Sequence, residues 1–451
     1  MYPYQDPNQP IEARIDDLLA RMTTEEKIAQ TDQYGSSDFT TVDENGRATS
    51  VDFDRLDGLL GKRSVGSVQL RGMTAAQANA VQRYAVEQTR LGIPFLFSEE
   101  ALHGLYTGRA TSFPQQIGLA ASFEHALGYE MGRAVATEAR ACGIHETYSP
   151  VMDLIRDPRY GRGEESYGED TCLCAAFARE TVRGLQGNDI AAPDAVAAEP
   201  KHYVGYGMPV GGLNCAPTAM GRHEVYSDCL PVFEAAFRDA GACNTMCSYN
   251  AIDGVPVSSD HALLTDVLRG EFGMPGYVRA DMTAVSRLYD WHFTAETPQE
   301  AIRQGLTAGV DMELYDFPHE VWQGGIAELL ADGRLDPAVL DEACRRILRI
   351  KFRLGLFEHP YTDESREEKA LRCPDHLALA RKIAERSAVL LKNQGGLLPL
   401  SPAIGSVAVL GPGAAQAMLG DYSEARGRTR AVSGLDGIPA PLRPRTRGPY
   451  G

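Results

Sequence analysis

Apolar residues recur at helical spacing through Ile11–Met22, and Thr23 followed three residues later by Glu26 has the form of a capping box that opens a second helix. The pattern then changes. Short apolar runs at Val65–Leu70, Pro94–Ser98, Thr147–Ile155, Ala197–Tyr203, Asn244–Tyr249, Tyr277–Ala280 and Val310–Leu314 read as strands. Between most of them lie amphipathic stretches long enough for helices, at Thr74–Arg90, Ser122–Cys142, Cys172–Leu185, His223–Ala240, Ser259–Glu271 and Pro298–Ala308. Repeated strand–helix alternation predicts an α/β fold with a parallel sheet, and this many units favour a TIM-like (β/α)8 barrel over an open sheet. Because the pattern yields seven strands rather than eight, the barrel is expected to be irregular.

Asp336-Pro337 places proline at the first position of a strong helix that runs to Phe357. Residues 1–357 are therefore assigned to the barrel. Glu358–Pro374 is polar and reads as a linker, followed by a helix at Pro374–Ser387. A second α/β unit opens over 387–425 with the run AVLLKN, a turn-rich stretch and a strand at 406–414. Beyond it, 426–451 is rich in Arg, Pro and Gly without periodicity, which predicts disorder. Gly411-Pro412-Gly413 lacks the Lys-Ser/Thr of a phosphate loop, so no nucleotide is expected there.

A hydrophobic content of 43% supports a folded domain, and a formal charge of −17 argues against nucleic acid or an anionic membrane as partner. The N-terminus shows no apolar segment of signal-peptide length, and no run approaches a bilayer span. Nine cysteines make an odd count with no zinc or thioredoxin spacing. The expectation is reduced thiols in a cytoplasmic protein.

In a barrel of this kind the reactive groups sit at the C-terminal ends of the strands, and the polar clusters fall there. Pro94–Ser98 runs into Glu99, Glu100 and His103; Thr147–Ile155 runs into an Arg/Glu-rich loop that includes Arg156, Arg159, Arg162 and Glu165. Lys201-His202 closes the next run, Tyr249 another, and Asp281 follows Tyr277–Ala280; Asp311 and Glu313 lie in the last. One of the two glutamates is expected to face inward, Glu100 being the candidate. Most of the 156–170 loop is expected to pair with itself, with one arginine reaching the pocket. Lys201 and His202 point to opposite faces of a regular strand and share a site only where the strand ends. His103 is expected to be structural. Asp281 has a competing use as the N-cap of a following helix.

The segments EEALHG, RDPRYGRGEESYGED, KHYVGYG…GGLN, MCSYNAIDGVP…LLTDVLRGEFGMPGYVRAD and AGVDMEL, in this order, resemble glycoside hydrolase family 3, the β-glucosidase and β-xylosidase family, over roughly 12–425. The resemblance implies a TIM-like barrel followed by an α/β sandwich domain, and retaining hydrolysis of terminal β-glycosidic bonds. It assigns the nucleophile to Asp281 and a sugar pocket to Glu100, Arg162, Lys201, His202 and Tyr249, with no metal or cofactor. Positive charge beside Asp281 is expected to keep it ionised. The partner is an oligosaccharide or aryl β-glycoside. Two departures stand out: Ala280 and Met282 replace the serine and aromatic that flank the family's nucleophile, and neither of the family's acid/base signatures is present. The acid/base is therefore expected to lie outside this polypeptide. Two other readings compete: a sugar-binding relative without turnover, and a metal-dependent barrel hydrolase using His103, Glu100 and His202, which lacks compact ligand spacing.

Overall fold

The computed structural model describes residues 2–43, 48–401, 403–423 and 431–438. Parallel strands β1 (Gln33–Gly35), β2 (Ser67–Gln69), β3 (Leu96–Glu99), β4 (Glu146–Thr147) and β5 (Ala197–Ala198) form one sheet in sequence order. Strands β6 (Thr245–Cys247) and β7 (Val278–Ala280) pair in parallel. Met246 N donates to Pro200 O at 3.3 Å, joining the two sheets. The eighth position is taken by 310–314, through a parallel bridge from Met312 to Arg279. Glu313 N then donates to Thr31 O at 3.0 Å, beside β1, and the barrel closes.

The eighth strand is thus β1, which the apolar pattern does not reveal. Its Gln33 points into the barrel and donates to Tyr148 Oη at 2.9 Å, while Tyr34 points outward and stacks on His319 at 3.6 Å. A polar interior explains the missing signal. Arg279 is fully buried inside the barrel, paired with Glu146 and, at 3.1 Å, with Glu199; Tyr277 Oη donates to Glu146. Buried ions of this kind need complete pairing, because a lone one carries a desolvation cost of several kcal/mol.

Helices α1 (Ile11–Arg21), α2 (Thr24–Gln30), α3 (Phe53–Leu60), α4 (Ala75–Arg83), α5 (Ala126–Ala141), α6 (Thr171–Gln186), α7 (Pro298–Ala308), α8 (His319–Ala331) and α9 (Pro337–Arg353) surround the strands. Thr23 and Glu26 form the capping box expected at α2. The predicted helix at 259–271 is wound more widely than α, with Phe272 N reaching back to Val267 O. All nine cysteines are unpaired thiols, and no helix among the described residues is long and apolar enough to cross a membrane.

The stretch read as a linker is docked on the barrel. Asn79 Nδ2 donates to Thr362 O at 2.9 Å and to Glu364 Oε1 at 2.8 Å, and Arg109 pairs with Glu367 at 2.6 Å. Its polar residues are anchors, which composition alone does not distinguish from a solvated spacer. Helix α10 (Pro374–Arg386) follows as expected. The strand expected at 406–414 is not formed, nor is AVLLKN extended into a sheet; Leu391 and Leu410 are 91% and 87% exposed. A strand needs a ladder partner, and none faces these runs among the described residues. The tail expectation at 426–451 falls, apart from 431–438, outside the described residues.

Candidate active site

The C-terminal mouth of the barrel holds a cavity of about 370 Å³ lined by Gln69, Arg71, Glu100, Tyr106, Tyr148, Arg162, Tyr249, Asp281, Met282, Leu314, Tyr315, Asp421 and Tyr422. Four of the six predicted site residues are in that lining, and Lys201 and His202 sit directly behind it. Lys201 Nζ donates to both oxygens of Glu100, at 2.9 and 2.8 Å. His202 Nε2 lies 3.3 Å from Asp281 Oδ2 and 3.1 Å from Arg162 Nη2.

Each placement has a local cause. After β3 ends at Glu99, the two glutamates diverge. Glu99 turns into the wall, accepting from Gln69 Nε2 at 2.9 Å, Glu100 N at 3.0 Å and Arg71 N at 2.6 Å, and burial pushes its carboxyl up to about 7. Glu100 faces the cavity. The 156–170 loop is mostly ion-paired within itself and to its neighbour, through Arg156–Asp228 and Arg159–Asp157, and sends in Arg162. Arg162 is held by Glu165 through Nε at 2.7 Å and Nη2 at 2.8 Å. Regular β5 pairing stops at Ala198, so strand alternation no longer separates Lys201 from His202, and both are 1% exposed beside the site.

Asp281 does not cap a helix. The next α-helical turn begins at Arg287 with Ser286 as its cap, while Asp281 Oδ1 accepts from Met282 N at 2.7 Å and the neighbouring Tyr249 hydroxyl favours the ionised carboxylate. Its other oxygen, Oδ2, is buried without a hydrogen bond. Burial raises the Asp281 carboxyl above its ordinary value despite Arg162, Lys201, Tyr249 and Met282 N opposing it. The cations act in the expected direction, favouring the ionised form, and limit the rise without reversing it. Burial likewise outweighs Lys201 at Glu100, which is also raised. At Lys201 burial is the largest influence and opposes the charge, but Glu100, Tyr422 and Asp281 together more than offset it and the ammonium is held above its ordinary range.

His103 is structural, with Nδ1 2.8 Å from Phe113 O and Nε2 2.9 Å from Asp421 O. It does not join Glu100 and His202 in a ligand cluster. The group of acids and histidine that comes together among the described residues is Asp32, Glu313 and His319, between the barrel wall and α8. Its oxygens are already engaged by Gln323 Nε2, Gln33 N and Asp316 N.

Sequence reasoning missed Arg71, Tyr315 and the segment 419–423. Arg71 and Tyr315 follow β2 and the 310–314 segment, so position at a strand end was the available signal. Asp421 and Tyr422 come from far along the chain. Gln115 Nε2 donates to Asp421 O at 2.9 Å, Asp421 N donates to Glu164 Oε1 at 2.6 Å, and the Tyr422 ring lies 5.3 Å from Lys201 Nζ. No local pattern foretells that docking.

Residues 23–350 match the family model for the glycosyl hydrolase family 3 N-terminal domain, and 388–444 match part of that for its C-terminal domain. The chain belongs to glycosyl hydrolase family 3. It is 33% identical over 446 residues to a periplasmic β-glucosidase of Salmonella typhimurium, covering 95% of this chain and 54% of that protein. A β-xylosidase of Formosa agariphila is 35% identical over 417 residues, covering 90% and 56%. Among solved structures, a β-glucosidase from Erythrobacter marinus superposes with a TM-score of 0.87 at 36% identity, over 94% of this chain and 56% of that one. The Listeria innocua β-glucosidase with bound glucose gives 0.77 at 34% identity, over 86% and 53%. This family 3 chain spans about half the length of the relatives it matches. Its α/β fold is the family's TIM-like barrel.

Proposed function

We propose that this family 3 barrel binds a terminal β-glucosyl or β-xylosyl unit and cleaves its glycosidic bond by a retaining route with Asp281 as nucleophile. The observation that carries the reading is the Asp281 carboxylate in the cavity wall, its Oδ2 free of hydrogen bonds, with Glu100 and Arg162 lining the same cavity. Retaining hydrolysis needs a carboxylate that attacks the anomeric carbon and a second carboxyl that serves as acid and base. Glu100 accepts hydrogen bonds from sugar hydroxyls, while Lys201, Arg162 and His202 set the polarity of the opposite wall. Tyr249 steadies Asp281. The acid/base is not among these residues, because Glu100 and Glu165 are each gripped at both oxygens by a cation.

Incubation with a 2-deoxy-2-fluoro dinitrophenyl β-glycoside tests this directly. The expected result is a glycosyl adduct on the peptide containing Asp281, seen by mass spectrometry. An adduct on another residue would reassign the nucleophile; binding of glucose and xylose with no adduct and no phenol release from any aryl glycoside would leave the chain a sugar-binding relative.

A further inference from the structure

Behind the candidate nucleophile lies a group that the proposed reaction does not itself need. Asp153, 3% exposed, has its Oδ2 2.7 Å from His202 Nδ1. On the other side of the imidazole, Nε2 faces Arg162 Nη2 at 3.1 Å and Asp281 Oδ2 at 3.3 Å, and the Tyr206 ring stands edge-on at 4.9 Å. An arginine never gives up its proton in a protein. Arg162 Nη2 shares its hydrogens between Glu165 Oε2 and His202 Nε2, so Nε2 must offer a lone pair and the ring proton must sit on Nδ1.

We propose that Asp153 is a positioning residue: it holds His202 as the Nδ1–H tautomer, so that Nε2 accepts from Arg162 and Asp281 Oδ2 stays free of hydrogen bonds. The inference rests on Asp281 being the nucleophile, with Oδ2 as its inner oxygen turned to His202. In that step the Asp281 carboxylate forms a bond to the anomeric carbon while the bond to the leaving oxygen breaks, and the electron pair departs on the aryl oxide. A proton on Nε2 would instead bind Oδ2 and draw charge from the attacking carboxylate. It would also set two N–H groups against each other at Arg162.

Two further facts agree. Burial, then Arg162 and Lys201, push the imidazole well below its ordinary value, so it is neutral. Burial raises Asp153 to about 8; a proton carried on its Oδ1 leaves Oδ2 to accept from Nδ1–H at 2.7 Å, so the tautomer holds in either charge state of the carboxyl.

The test is nitrogen-15 NMR of histidine-labelled protein, with His202 assigned by loss of its signals in His202→Gln. The expected spectrum has a pyrrole-type Nδ1 and a pyridine-type Nε2. Asp153→Ala should lose that tautomer and lower kcat on a dinitrophenyl glycoside by about 10–100-fold, the worth of a hydrogen bond gained by a carboxylate, with KM changed less. Asp153→Asn, whose amide oxygen still accepts from Nδ1, should keep the tautomer and recover most of the rate. An imidazolium or an Nε2–H tautomer in the unaltered protein would overturn the proposal, even if no variant folds. Loss of all turnover together with the expected spectrum would count against the reading of the reaction and not against the tautomer.

Discussion

If Asp281 attacks without an acid to protonate the leaving oxygen, the rate must depend steeply on the leaving group. The structure supports the premise by engagement of its carboxyls. Glu100 and Glu165 are each held at both oxygens by a cation, and Glu99 spends its acceptors on Gln69, Glu100 N and Arg71 N. Glu313 accepts from Gln33 N and Asp316 N and does not line the cavity. That leaves Asp421, exposed at the mouth, as the one uncommitted carboxyl lining the cavity among the described residues. A positioned acid contributes on the order of 10²–10⁴-fold, about 3–5 kcal/mol. The chain should therefore release dinitrophenol from an aryl β-glycoside while cleaving cellobiose or xylobiose slower by at least that factor. Deglycosylation should also be slow, because no base activates water. Azide needs no base, so it should accelerate turnover of the aryl substrate and give a glycosyl azide. The assay is phenol release with and without azide, alongside chromatography of the disaccharides. Rapid disaccharide hydrolysis without azide dependence would refute the reasoning, and loss of that activity in Asp421→Asn would identify the acid.

Asp281→Asn should lower turnover on the same aryl glycoside by on the order of 10⁴-fold or more, as removal of an enzyme nucleophile does, with an unchanged circular dichroism spectrum; an unaltered rate would place the nucleophile elsewhere. The acid limb of the pH–rate profile should lie above the ordinary aspartate value of about 3.9. Burial raises both Asp281 and Glu100, the ionised forms exist only above those raised values, and activity is lost as pH falls through them. A midpoint at or below the ordinary value would mean that Arg162 and Lys201 outweigh burial. Arg279→Leu should cost about 3–5 kcal/mol in urea unfolding, because it strands Glu146 and Glu199 inside the barrel; a loss under about 1 kcal/mol would show that the pair protonates and relaxes instead.

The features legible in the sequence were those with a local cause. Strand–helix alternation, the capping box at Thr23 and Glu26, and the fall of polar residues at strand ends all express short-range periodicity. Strand-end position offered Glu100, Lys201, His202, Tyr249 and Asp281 among other polar residues, and it was the family resemblance that singled out these together with Arg162 as one pocket. What stayed hidden was set by contacts far apart in the chain. Strand β1 reads as a loop because Gln33 meets Tyr148 inside the barrel, 115 residues away, so an interior position looks polar. Asp153 sits in a run that reads as strand, and only the imidazole of His202, 49 residues on, gives it a use. The runs at 388–393 and 406–414 show the converse error. Their apolar, β-branched composition is a sound strand signal, yet propensity describes half of a pairing. Val389, Leu391 and Leu410 remain exposed, and no partner strand faces them among the described residues. Strand signals are thus conditional statements: β7 satisfies the condition through β6, and that pairing is what fixes Asp281, the next residue, at the mouth of the barrel.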